Sequence, residues 1–223
     1  MSVITLSRQF GAGGLPVGRA LAQRFGAELI DRQVVAQVAA RSGIPESEAE
    51  GYDERLPGVW QRIAAALATS VPEVAMPPLP APGGGTAMQE RLASLTRAVI
   101  EEAAERGNAV ILGRGAAFIL RGRQDVLSVQ LHASLEARLR HLLSRVEEIP
   151  ADARPDEASV KELCRSFDDA RSRYLRHHFN VDWNDARHYD MALDTGRLGL
   201  ALAVDLIEQA ARRQLGLREG TPG

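Results

Sequence analysis

An α/β fold, with a mostly parallel sheet covered by helices on both faces, is predicted by three features of this sequence. Short aliphatic runs alternate with helical patterns, the connection after the first run is rich in glycine, and no internal repeat competes with the alternation. Val3-Ile4-Thr5-Leu6 opens the series as a strand. A helix from Pro16 to Gly26 follows: Val17, Leu21 and Phe25 recur on one face, Pro16 suits a first turn and Gly26 a stop. Ala27 to Ile30 supplies the next strand, ending at Asp31-Arg32. Helical patterns run from about Ala87 to Arg106 and from Ser134 to Glu147, with buried strands at 109–112 and 126–131 between them. A weak strand at 191–193 and a helix from about Leu198 to Leu215 complete the pattern. Two segments interrupt it. The stretch 71–86 is dense in proline and glycine and reads as a surface loop, whereas 150–180 is long and charged and reads as a helical excursion from the sheet. Residues 217–223 read as a frayed tail.

With 223 residues, 45% hydrophobic and 25% charged, the chain suits one globular domain rather than a disordered or fibrous one. Its 27 basic and 29 acidic residues nearly cancel, so no global field recruits a nucleic acid polymer or an anionic membrane. Any polyanion site must be local. The single cysteine, Cys164, cannot form an internal disulfide, and no Cys/His spacing suits zinc. With no leader-like start and no apolar run of membrane length, a cytoplasmic protein is expected. Lys161 is the only lysine, so chemistry that wants an ammonium must take it from Lys161 or the amino terminus.

Local anion chemistry is concentrated in Ser7-Arg8-Gln9-Phe10-Gly11-Ala12-Gly13-Gly14, between the first strand and the first helix. Successive backbone N–H groups at a helix N-terminus form a nest for phosphate, and glycines permit the left-handed angles it needs. Two registers compete. A dinucleotide fingerprint is met in part by Gly11, Gly13 and Asp31, but Pro16 replaces its third glycine and the lead from Leu6 to Gly11 is long. The phosphate-loop register fits residues 8–15 better, with Arg8 at the first glycine, Gly14 at the lysine and Leu15 at the magnesium-binding hydroxyl. A missing lysine 4 Å from phosphate oxygens forfeits about 4 kcal/mol at an effective dielectric near 20. Arg8 is the nearest substitute, and its guanidinium can fork across two oxygens.

Together with Ile30-Asp31-Arg32, Gly113-Arg114-Gly115, Asp168-x-x-Arg171-x-x-Tyr174 and Asp182-Trp183-Asn184-Asp185 before Tyr189-Asp190, the run from Ile4 to Gly14 resembles the cytidylate kinase-like family, relatives of the nucleoside monophosphate kinases. The resemblance covers Ser2 to about Ala211. It implies a three-layer P-loop NTPase fold with a five-stranded parallel sheet, as one domain over 1–216. That domain would carry a monophosphate-binding insertion at 32–107 and a lid-like helical region at 138–180. The implied reaction moves the γ-phosphoryl group of ATP to CMP, dCMP or a related monophosphate, with Mg2+ held largely by ATP and water. Gly11, Ala12, Gly13, Gly14 and Leu15 would hold the triphosphate. Arg138, Asp168 and Arg171 would act with Arg8 on the transferring phosphate. Asp31, Arg32, Arg114 and Tyr174 would face the acceptor, although Gly115 replaces the aspartate that follows this arginine in cytidylate kinases.

Two other functions fit parts of the pattern. A nucleotide-binding regulator without turnover would explain Gly14 and Leu15, and a dinucleotide-dependent oxidoreductase would explain Gly11, Gly13 and Asp31. Trp60 and Trp183 read as packing residues, and His132, His177 and His178 as structural.

Overall fold

The computed structural model describes residues 3–31, 87–146 and 154–214. Arg32, Trp60, the 71–86 stretch, most of the expected 32–107 insertion and the 217–223 tail lie outside them. The described strands are β1 (Val3–Arg8), β2 (Glu28–Ile30), β3 (Ala109–Leu112), β4 (Val126–His132) and β5 (Met191–Asp194). All pair in parallel, in the order β2-β3-β1-β4-β5. The helices are α1 (Gly14–Phe25), α2 (Ala87–Arg106), α3 (Ala116–Ile119), α4 (Leu135–Val146), α5 (Glu157–Phe179), α6 (Thr195–Leu198) and α7 (Leu200–Gln214).

A sheet covered on both faces needs apolar residues at successive strand positions, and β3 and β4 supply them. Val110, Leu112, Leu127, Val129 and Leu131 join Val17 and Leu21 of α1 and Val204 and Ile207 of α7 in one cluster. Val3, Ile111 and Val126 join Val99, Ile100 and Ala103 of α2 in another. Each such aliphatic side chain contributes about 1.5–3 kcal/mol on burial. A third cluster lies beyond the sheet, where Leu139 and Leu142 of α4 meet Val160, Leu163 and Cys164 of α5 around Phe10.

Two boundaries differ from the sequence pattern, and the expected helical excursion takes a definite form, each for a local reason. The first strand runs two residues past Leu6, because Ser7 and Arg8 continue the ladder opposite Gln130 and Leu131. Arg8 therefore ends a strand and is not part of the loop. The final helix is divided: Asp194 caps α6 by accepting from the N–H groups of Gly196 and Arg197, and Gly199 at φ 77° separates it from α7. Most of the charged excursion is a single helix, α5, opened by Asp156, whose carboxylate accepts from the Ser159 N–H at 2.8 Å, and closed by left-handed Asn180.

The strand order also decides between the two loop registers. In a dinucleotide fold the second strand lies beside the first, bringing its terminal carboxylate to the ribose. Here β3 separates β1 from β2, so Asp31 cannot take that place.

Candidate active site

The connection from β1 runs to β2 on one side, whereas the connection from β3 crosses past β1 to β4 on the other, so the crevice outside the carboxyl ends of β1 and β3 is the switch point where open α/β sheets bind ligands. Residues 9–13 span from β1 to the first turn of α1. Gly11 and Gly13 take φ values of 79° and 77°, and Gly13 caps α1. The loop is tied at its edges: Gln9 donates its N–H to the Leu131 carbonyl at 2.9 Å, and the Thr195 hydroxyl donates to the Ala12 carbonyl at 2.9 Å. The N–H groups of Gly11, Gly13 and Gly14 donate to nothing among the described residues. They form, with the positive end of α1, an arrangement suited to an anion.

Arg8 occupies the space that a side chain at position 14 would need. A Cβ on Gly14 would lie 2.6 Å from Arg8 Cγ, and one on Gly113 would lie 2.0 Å from Arg8 Nη1. The buried Arg8 chain thus crosses the start of α1 and reaches the turn after β3. On the far side of the loop, a Cβ on Gly13 would lie 2.3 Å from Leu200 Cδ2.

That turn after β3 has three consecutive left-handed residues, Gly113, Arg114 and Gly115, at φ 76°, 58° and 72°. For arginine this conformation costs about 1–2 kcal/mol, and such strain collects at functional sites. Burial pushes the Arg114 guanidinium down to about 10; the Tyr174 and Asp31 side chains act against that shift, and the Arg8 charge adds to it. It remains a cation at neutral pH. Tyr174 is buried, which raises its own pKa, while the charges of Arg114 and Arg97 lower it. Arg8, Asp31, Arg114 and Tyr174 therefore share one electrostatic neighbourhood at the carboxyl edge, and Arg97 of α2 adds a cation there that no motif marked.

Arg138, Asp168 and Arg171 converge on the loop's entry. Asp168 accepts the Phe10 N–H at 2.9 Å and a hydrogen bond from Arg138 at 2.5 Å. Arg138 also donates to the Phe10 carbonyl at 3.1 Å, and Arg171 donates to the Arg8 carbonyl and lies over the Trp183 ring. Trp183 is a packing residue, fully buried, whose carbonyl accepts from Gln130 and Tyr189. Among the described residues, no three His, Cys, Asp or Glu side chains converge to hold a metal ion, and Leu15 is buried where a ligating hydroxyl would stand. Leu200 and Thr195 carry no motif signal, since their contacts with Gly13 and Ala12 span more than a hundred residues.

A parallel sheet of this order, whose central strand feeds a glycine loop and a helix N-terminus, defines the P-loop kinase class of fold. It is shared with a gluconokinase from Sinorhizobium meliloti at TM-score 0.51 and 13% identity, covering 98% of each chain. An uncharacterized protein from Eubacterium ventriosum has a similar structure at TM-score 0.65 and 19% identity, covering 98% of this chain and 100% of that one. The chain belongs to the cytidylate kinase-like family, whose sequence profile matches residues 3–197. It is similar to a cytidylate kinase of Pyrobaculum islandicum, 27% identical over 205 residues that make up 92% of this chain and 89% of that protein. No described helix is long and apolar enough to cross a membrane.

Proposed function

We propose that this protein is a cytoplasmic nucleotide kinase that transfers the γ-phosphoryl group of ATP to a nucleoside monophosphate, with CMP or dCMP as the leading acceptor. The stretch from Gly11 through Ala12, Gly13 and Gly14 to Leu15 holds the triphosphate, chiefly by the amides of Gly11, Gly13 and Gly14 at the N-terminus of α1. Arg8 supplies the positive charge that a loop lysine gives elsewhere. Arg114, flanked by Asp31 and Tyr174, receives the acceptor's phosphate. An oxygen of that phosphate attacks the γ-phosphorus, the bond from γ-phosphorus to the β,γ-bridging oxygen breaks, and ADP leaves with the electron pair. An ionised phosphate oxygen needs no general base, so catalysis rests on positioning and neutralised charge. Magnesium travels with the ATP and spreads the charge of its phosphates; no step is assigned to a protein-bound metal.

The observation that carries this reading is the Arg8 side chain lying across Gly14 toward Gly113, between the loop and the turn that presents Arg114. One guanidinium there lies between the two phosphates that must meet. Coupled ADP production with a panel of nucleoside monophosphates tests it, and ADP release that depends on CMP or dCMP is the expected result. ATP binding without acceptor-dependent turnover favours the second reading, a nucleotide-binding regulator, for which Gly14 and Leu15 at the lysine and hydroxyl positions are the specific argument.

A further inference from the structure

Helix α5 touches both halves of the crevice. Near its middle, Asp168 holds the Phe10 N–H, and Arg171 binds Asp168 at 3.5 Å as well as the Arg8 carbonyl. Arg138 of α4 closes the set by bonding both Asp168 and the Phe10 carbonyl. The Phe10 ring, 2% exposed, stacks on Phe167 of α5 with centroids 4.6 Å apart. One turn further along, the same helix carries Tyr174 and Leu175, and it ends at Phe179. A Cβ on Gly115 would lie 2.7 Å from the Phe179 ring and 3.3 Å from Leu175. One rigid element thus abuts the phosphate loop at one place and the Arg114 turn at another.

We infer that Arg138, Asp168 and Arg171 are positioning residues that hold the phosphate loop by the backbone of Phe10 and Arg8, and that α5 thereby couples the loop to the Arg114 turn. Both backbone polar groups of Phe10 are used by side chains, so the Phe10 N–H does not serve a phosphate and the cradle begins at Gly11. The Asp168 carboxylate would repel a triphosphate; two guanidiniums offset it and leave the set with one net positive charge. Because the two subsites lean on one helix, ordering one lowers the cost of ordering the other, and the coupling is reciprocal. The coupling rests on the proposed kinase reading, whereas the Phe10 clamp does not.

The test follows Phe10 amide hydrogen exchange and ATP affinity in wild type, Asp168→Asn and Asp168→Ala. Asparagine keeps an acceptor oxygen for the Phe10 N–H, and alanine removes it. In Asp168→Ala, Phe10 exchange is expected to accelerate at least tenfold and ATP to bind at least tenfold more weakly, a larger effect than that on kcat at saturating ATP. Asp168→Asn is expected to retain most of the Phe10 protection. In wild type, CMP is expected to tighten ATP binding, and Asp168→Ala to abolish that enhancement. Unchanged Phe10 exchange in Asp168→Ala, or a kcat loss of a hundredfold with ATP affinity within twofold of wild type, overturns the positioning role. Accelerated Phe10 exchange in a protein that binds no ATP supports the clamp and removes the kinase reading, so the two failures are distinct.

Discussion

A side chain at position 14 would meet Arg8 before it met a nucleotide, which gives a physical reason for a lysine-free loop. Gly14→Ala is expected to cost about 1–3 kcal/mol through overpacking, read as a lower Tm. Adding Arg8→Ala removes the opposing Cγ, so the double variant should lose less than the sum of the two single losses. Arg114 makes a separate prediction. Its folded pKa, about 10, lies below the free value, so its charge opposes folding at neutral pH and that cost fades as pH rises through about 10. Acceptor binding has the opposite dependence: KM for the monophosphate should climb over the same range, and a flat profile there would remove Arg114 from the phosphate contact. Arg8 was legible as an arginine of the glycine-rich stretch, and Arg114 as one flanked by glycines after a strand. Which glycine each serves was not, because Gly113 meets Arg8 only through the fold.

At the scale of elements, α5 depends on its packing against α4. Leu163 is 2% exposed within the Phe10 cluster, so Leu163→Ala is expected to cost about 2–5 kcal/mol and to loosen the loop with it. Thermal unfolding checks the first effect, and exchange at the Phe10 amide checks the second. The α5 helix was legible only as a charged helical excursion. Its stripe of Asp168, Arg171 and Tyr174 was visible at three-residue spacing, but whether that stripe meets substrate or backbone depends on where α4 lies. The end of β1 was misplaced for a related reason: Ser7 and Arg8 are polar, and their strand conformation comes from pairing with β4 and not from their own propensity. The break at Gly199 had a local signal, Asp194 followed by Thr195 and Gly196 as a helix start, within a longer apolar period that concealed it.

For the molecule as a whole, the alternation of aliphatic runs and helices announced a parallel sheet, and the glycine loop announced which strand stands at its switch point. The strand order itself is not written in any local pattern, yet it is what separates a phosphate loop from a dinucleotide turn here. It places β1 between β3 and β4, so the turn bearing Arg114 lies beside the loop fed by Arg8. The most direct test of the account is the ATP dissociation constant of wild type against Arg8→Ala, measured calorimetrically on samples with matched circular dichroism. A cation 4 Å from phosphate is worth about 4 kcal/mol, so affinity should fall by far more than tenfold. A change of less than twofold would contradict the assignment of Arg8 as the charge that replaces the loop lysine.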